Sequence, residues 1–212
     1  MTRDQAVAQM KMILGFRTDK DSELRTQLMY AQQNLESQEF LPWFLRSEVA
    51  YTTTTIDESR LALPDDFIRE DEDEALFLYD ADAEEDEQWT PLEKADTDTL
   101  RSVYQSTTGA PEAYSITPDY FRIMPIADEE YTIKLVYYAK DTVLSNDVEN
   151  KWLKHASDWL MGAAGQPIAA GLRDTAALNI FRDMEARGRA ATIKASTARE
   201  AENRRYVMGG PD

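Results

Sequence analysis

The chain has 212 residues, enough for one substantial domain with or without an insertion. Its hydrophobic fraction of 42% supplies a core, yet no apolar run approaches the roughly 20 residues needed to span a bilayer. The formal charge of −17 argues against direct binding to nucleic acid or to an anionic membrane. The chain has no cysteine, which excludes disulfides and thiolate metal sites and fits a reducing cytoplasm. Asp4, Gln9 and Lys11 interrupt the first apolar residues, so we expect no signal peptide.

Two helices are predicted at the N-terminal end. The first has Thr2 or Asp4 as its cap and ends at Gly15, because glycine readily ends a helix. The second begins near residues 21–22 and stops before Pro42, since the residue ahead of a proline avoids the α region. Apolar residues in both recur at three- and four-residue steps, the helical period: Ala6, Val7, Met10, Ile13, Leu14, Leu24, Leu28, Ala31 and Leu35.

The period then changes to two, which predicts β-strands. Four strands are predicted in this part of the chain: Glu48–Ile56, Arg60–Leu63, Ala75–Tyr79 and Trp89–Leu92. We expect the last two to pair across an acidic loop. A short helix over Asp96–Gln105, capped by Asp96 or Thr97, follows them.

Residues 109–140 contain three strand-like runs divided by prolines: Tyr114–Ile116, Tyr120–Met124 and Tyr131–Ala139. The third run alternates strictly, with Ile133 and Leu135 on one face and Lys134 and Val136 on the other. We interpret the three runs as a small antiparallel meander with one packed face.

The helical period returns after Lys140. Asn146 or Asp147 is predicted to cap a helix that Pro167 kinks or ends. Its apolar residues are Trp152, Ala156, Trp159, Leu160 and Ala163. The stretch Gly162–Gly165 has only small side chains, so we expect another helix to approach closely there.

The last helix is predicted to begin at Asp174 or Thr175 and to pack through three large apolar residues, Leu178, Phe181 and Met184. Beyond Gly188 it becomes alanine-rich and charged, and it is about 46 Å long if it continues to Arg204. Few large apolar groups follow Ile193, so we expect this end to need a partner to order it.

Charge is distributed unevenly along the chain. Residues 65–87 contain 13 acidic side chains and one base, Arg69. Residues 173–205 contain eight bases and five acids. Such polarity usually concerns partners more than folding.

No arrangement of residues indicates catalysis. The single histidine, His155, has no second histidine or cysteine with which to bind zinc, so a packing or surface role is predicted. The acids of Asp80–Glu84 resemble part of a calcium loop, but Glu85 stands where the EF-hand pattern needs glycine, and its twelfth position does not hold an acid. We therefore expect no enzyme, no catalytic residue, no metal site and no cofactor.

The order of predicted elements indicates an α+β fold that is mainly α. N-terminal helices (1–42) and C-terminal helices (141–195) are expected to form one helical core. A β-rich region (43–140) carrying the acidic loop (70–87) is inserted between them, and residues 196–212 form a C-terminal arm.

An ordered set of short motifs gives the strongest indication of function. These are L-P-x-D-F at 63–67, G-x-P-x-x-Y at 109–114, F-R-I-M-P at 121–125, and Y-Y-A-K at 137–140 before a helix with tryptophans. Over most of residues 10–185 the set resembles the head-to-tail adaptor (connector) proteins of tailed bacteriophages.

The resemblance implies a virion structural protein of the neck, between capsid and tail, that assembles in the host cytoplasm. Members of that family form a ring with copies of themselves, usually a dodecamer, below the portal protein. Their β regions face tail nozzle, tail tube or tail fibre proteins. Double-stranded DNA passes through the ring without specific binding, and no membrane is involved.

Two groups of residues are candidate contacts with partners. Four of the C-terminal arm are suited to acidic side chains of the portal: Arg199, Arg204, Arg205 and Tyr206. Six of the acidic loop and its edge are expected either to meet a basic tail protein or to line the DNA channel: Asp82, Glu84, Glu85, Asp86, Glu87 and Trp89.

Two other functions fit the composition. One is an acidic soluble interaction module that mimics nucleic acid, which is expected to stay monomeric or dimeric. The other is a cell-wall glycoside hydrolase, which needs two carboxylates about 5–9 Å apart with one of them buried. The mass of the protein with and without portal separates an adaptor from both.

Overall fold

The computed structural model describes residues 1–52, 59–71, 75–81, 88–105 and 107–208, with the backbone alone for 200–208. The chain forms two compact units. The helical unit comprises Met1–Leu45 and Lys140–Asp212, and the β unit comprises Arg46–Ala139. The fold is α+β and mainly α, which confirms the predicted class.

The helical unit begins with helices α1 (Arg3–Ile13) and α2 (Asp21–Glu36), as predicted. Thr2 caps α1, because its hydroxyl accepts a hydrogen bond from the Gln5 N–H at 3.3 Å and its own N–H donates to the Gln5 side chain at 2.9 Å. Gly15 follows the helix at φ 70°, a left-handed conformation that glycine adopts without strain. The predicted apolar stripe of α2 is buried: Leu24, Leu28, Ala31 and Leu35.

The described residues of the β unit form nine strands and one helix. In chain order these are β1 (Arg46–Thr52), β2 (Arg60–Ala62), β3 (Phe67–Glu70), β4 (Leu76–Tyr79), β5 (Trp89–Pro91), β6 (Glu93–Lys94), α3 (Thr97–Tyr104), β7 (Ala113–Ile116), β8 (Tyr120–Met124) and β9 (Thr132–Ala139). One antiparallel sheet has the order β1-β9-β4-β5, with β3 also paired to β9. The other has the order β2-β8-β7-β6, in which β6 and β7 are parallel.

The predicted meander is wrong in one respect. β7 and β8 pair as an antiparallel hairpin, but β9 belongs to the other sheet, where it pairs with β1 from Arg46↔Tyr138 to Thr52↔Thr132. The physical reason is burial across sheets. Phe121 and Ile123 of β8 share one hydrophobic cluster with Ile133 and Leu135 of β9, so the two strands pack through their side chains instead of by backbone hydrogen bonds.

Other predictions for the β unit are confirmed. β4 and β5 pair, with Tyr79 opposite Trp89. Asp96 caps α3, where its carboxylate accepts hydrogen bonds from the N–H groups of Asp98 and Thr99 at 3.0 and 2.9 Å. The strand predicted over Glu48–Ile56 begins two residues earlier and is described as far as Thr52. β3 and β6 were not predicted, because the first lies in charged sequence and the second has only two residues.

Two helices replace the single helix predicted after Lys140. They are α4 (Lys151–His155) and α5 (Ser157–Gly171), separated at Ala156, whose ψ of 37° is not helical. The cap is Asn150, whose side-chain oxygen accepts a hydrogen bond from the Leu153 N–H at 3.1 Å. The predicted caps Asn146 and Asp147 are wrong, because the Asn146 side chain is bonded to the N-terminus of α1.

Pro167 was predicted to kink or to end this helix. It lies inside α5 and does not end it, so the second alternative is wrong. A proline removes one main-chain hydrogen bond from a helix. Ile168 and Ala169, which follow it, are 1% and 0% exposed. Continuing the helix buries both side chains, which offsets the lost hydrogen bond.

The last helix, α6 (Thr175–Met208), is continuous over 34 residues, about 51 Å at 1.5 Å per residue. The Asp174 carboxylate accepts a hydrogen bond from the Ala177 N–H at 2.9 Å, as a cap does. None of the helices in the described part of the chain is both long enough and apolar enough to cross a bilayer.

Candidate protein-interaction surface

Helix α6 has one buried side, and its cover thins towards the C-terminal end. Buried residues recur at helical steps: Ala177, Phe181, Met184, Thr192 and Ser196. Leu178 is half-buried. After Met184 the buried residues of the described chain are small and polar, so little apolar area holds the later turns in place.

Glycines let α5 and α6 approach closely. A Cβ atom on Gly162 would lie 2.7 Å from the carbonyl oxygen of Phe181, and one on Gly188 would lie 2.9 Å from the Cα of Trp159. Both distances are shorter than atoms tolerate, so only glycine fits. The close helix contact predicted at Gly162–Gly165 is therefore confirmed.

Trp43 fixes the later turns of α6. It lies in the 3₁₀ turn Trp43–Leu45, and its backbone N–H donates a hydrogen bond to the buried Ser196 hydroxyl at 3.3 Å. The Arg199 guanidinium lies over the Trp43 ring, 3.4 Å from its centroid, as in a cation–π contact. The helix is thus tied to its own unit as far as Arg199. This is six residues beyond Ile193, after which we expected contacts within the chain to be too few to hold it.

His155 lies in an aromatic cluster, which agrees with the packing role predicted for it. Its ring is 4.9 Å from that of Trp43 and 5.4 Å from that of Phe44. Desolvation by this packing is the largest cause that lowers the pKa of His155, and the charges of Lys154 and Arg199 act in the same direction. No group of three or more acidic or histidine side chains in the described ranges is placed to hold a metal ion.

A groove of about 510 Å³ runs beside this cluster. Its lining includes Trp43, His155 and Asp158, together with Arg187 and Ala191 of α6. The lining combines aromatic, charged and small side chains, so its chemistry is mixed.

Five cations project from α6 before its last turns: Arg182, Arg187, Arg189, Lys194 and Arg199. None of them forms an ion pair with another residue whose side chain is described. In a chain of formal charge −17, a helix with unpaired cations is suited to an acidic partner.

The predicted portal contacts all lie on the last part of α6. Arg199 is engaged with Trp43, as described above. Arg204, Arg205 and Tyr206 belong to its last turns, where the structure describes the helix backbone.

The predicted acidic-loop contacts lie in the β unit. Asp82, Glu84, Glu85, Asp86 and Glu87 fall outside the described residues. Trp89 is described on β5, where its ring packs at a tilt of 51° against that of Tyr79, with centroids 5.0 Å apart, and the Lys134 Nζ lies 4.4 Å from its centroid. Trp89 therefore already packs within its own sheet.

Sequence reasoning missed the well-ordered loop 141–150. Buried Gln32, Glu36 and Asn150 anchor it: the Glu36 carboxylate accepts a hydrogen bond from the Asp141 N–H at 3.1 Å, and the Asn150 amide donates to the Thr142 carbonyl at 2.7 Å. The available signal was the run of hydrogen-bonding side chains from Asp141 to Asn150, which is typical of turns and caps.

Comparison with known proteins identifies the family. The family model described as SU10 adaptor protein matches residues 10–208. No curated protein matches the chain. The match covers nearly all of both units and agrees with the order of motifs. The chain therefore belongs to the SU10 adaptor protein family, whose members are structural proteins of the bacteriophage neck.

Proposed function

We propose that the protein is the subunit of a ring that joins the portal to the tail and forms part of the DNA channel. The observation that carries this is α6: a continuous helix whose cations form no ion pair with a described side chain, and which contacts Trp43 through Ser196 and Arg199. Such a helix end gains order when it docks on a neighbour. Membership in the adaptor family supports the portal as that neighbour.

The C-terminal arm is proposed to dock on the portal. Arg204, Arg205 and Tyr206 follow Arg199 in the sequence, and arginines pair with acidic side chains. Because Ser196 and Arg199 bind Trp43, the arm that is available for docking begins after Arg199.

Truncation after Arg199 tests this role. We expect a chain ending at residue 199 to keep its thermal unfolding midpoint, because its ties to Trp43 remain, and to lose binding to the cognate portal in sedimentation. The matched control ends at Met208 and keeps every residue of the helix, so it should still bind. Full portal binding by the chain ending at 199 would reject the portal role of the arm.

The acidic loop is proposed to face the tail. Its side chains suit a basic tail protein, and it is inserted in the β unit, away in sequence from the arm. Neutralising Glu84–Glu87 should weaken tail attachment and leave DNA retention in filled heads unchanged. The control neutralises four exposed acids of the same unit, Asp65, Asp98, Asp119 and Glu130. Loss of DNA retention with normal tail attachment would instead place the loop in the channel.

A further inference from the structure

A rigid loop of the helical unit exposes apolar side chains. Val143 and Val148 are 74% and 53% exposed, whereas Leu144 beside them is buried. The loop 141–150 is fixed by hydrogen bonds to three helices. Among them, the Asp4 N–H of α1 donates to Asn146 at 3.0 Å, Gln32 of α2 donates to the Thr142 carbonyl at 3.3 Å, and the Trp152 N–H of α4 donates to Asp141 at 3.2 Å. Exposed valines on a fixed loop are suited to a binding contact, because little order is lost on docking.

The side of α6 opposite its buried stripe is also apolar along its middle. We call six exposed residues at three- and four-residue steps the outer face of α6: Arg182, Ala186, Arg189, Ala190, Ile193 and Thr197. Ile193 is 37% exposed, and the alanines beside it leave a shallow seam. The two arginines border this seam.

Charge complementarity favours a second copy of the chain as the occupant. Between residues 175 and 199, α6 has five bases and two acids, whereas 38 of the 40 acids and only 18 of the 23 bases lie elsewhere. The loop has an exposed acid, Asp147, which forms no ion pair with any described residue. Glu149 differs, because it pairs with Lys154 at 2.7 Å. The loop is thus apolar and acidic where the outer face is apolar and basic.

We propose that the loop 141–150 of one copy docks on the outer face of α6 of the next copy. Val143 and Val148 would pack on the alanine seam and Ile193, and Asp147 would pair with Arg189. The two surfaces differ, so the contact is head-to-tail, which is the kind of contact that closes a ring. This inference rests on the proposed ring and names the surfaces that build it.

Disulfide trapping tests the contact directly, since the chain has no cysteine of its own. Val148→Cys and Ala190→Cys are made as single variants and mixed under the conditions of assembly, with portal present. We expect a covalent dimer on a non-reducing gel from the mixture, and a ladder of higher species when both changes are in one chain. The control mixes Ala190→Cys with Met12→Cys, which is 55% exposed but lies on α1, and should give no dimer.

Charge exchange supplies an independent readout. Asp147→Arg or Arg189→Asp alone should weaken assembly about tenfold, because like charges then face each other across the contact. The two changes together should restore it. If an oligomer forms but no dimer is trapped, or if the charge changes have no effect on assembly, this interface is wrong. The proposal that the chain forms a ring would still stand. Absence of any oligomer with portal present overturns the proposed function as well.

The same variants would also reveal a different partner at the outer face of α6. If Arg189→Asp abolishes portal binding, or DNA retention, while the oligomer keeps its mass, the outer face serves that partner and the inference is wrong.

Discussion

Gly188 and Gly162 set the spacing of helices α5 and α6. Each lies where a methyl group would meet main-chain atoms of the opposite helix instead of a side chain that can move. Main chain within a packed helix pair cannot yield by several tenths of an ångström without moving the helix. The turns of α6 that follow Gly188 therefore depend on a residue that has no side chain.

Gly188→Ala should reduce the free energy of unfolding by about 1–3 kcal/mol, as overpacking in a core does. Urea unfolding followed by circular dichroism measures it. Gly171→Ala is the matched control, because a Cβ atom there meets nothing within 4 Å, and it should change stability by less than about 0.5 kcal/mol. Alanine has the higher helix propensity, so a Gly188→Ala variant as stable as the original chain, or more stable, would contradict the close contact.

At the scale of elements, the helical stretches were predictable and the partners of the strands were not. The apolar period of α1 and α2, and the ends of α1 at Thr2 and Gly15, depend on residues that are close together in the sequence. The sheet to which β9 belongs depends on side chains of β8 that meet it through the core, which no local pattern shows. The continuation of α5 past Pro167 likewise depends on burial against the rest of the unit.

The candidate surface was predictable in the same limited sense. An unusual, basic and alanine-rich C-terminal helix was visible in the sequence, and so was Trp43 after Pro42. Their contact was not visible, because the sequence of the β unit separates Trp43 from α6 along the chain. In the proposed function, the docking arm begins after that contact.

The tie between α6 and the turn at Trp43 should appear as a coupling energy. Trp43→Ala and Arg199→Ala each remove the cation–π contact, so the double variant should cost less than the two single changes together by about 0.5–2 kcal/mol. Hydrogen exchange of residues 190–199 should become faster in each single variant. Arg189→Ala, on the outer face, is the control and should be additive with Trp43→Ala. Additivity of the Trp43 and Arg199 changes within about 0.3 kcal/mol would contradict the tie.

At the scale of the whole molecule, the distribution of charge favours assembly with other proteins of the phage neck, including further copies of this chain. The chain is strongly acidic, yet its longest helix presents cations without described ion-pair partners, and a helix of this kind is most stable beside an acidic surface. Copies of the same chain supply such a surface, and so does any acidic face of a portal. Both kinds of contact raise the stability of the folded chain by mass action.

Light scattering of the purified protein with and without its cognate portal measures the outcome. We expect the mass to rise to that of a many-subunit ring once portal is present, and hydrogen exchange after residue 199 to slow at the same time, because the arm becomes ordered on docking. Salt should weaken both effects, since exposed charges carry part of each contact. A chain that stays monomeric with portal, and whose final turns are already protected when it is alone, would contradict the ring and the docking arm together. Slow exchange there without any change in mass would instead mean that α6 is complete in one copy, and its cations would then need a different partner.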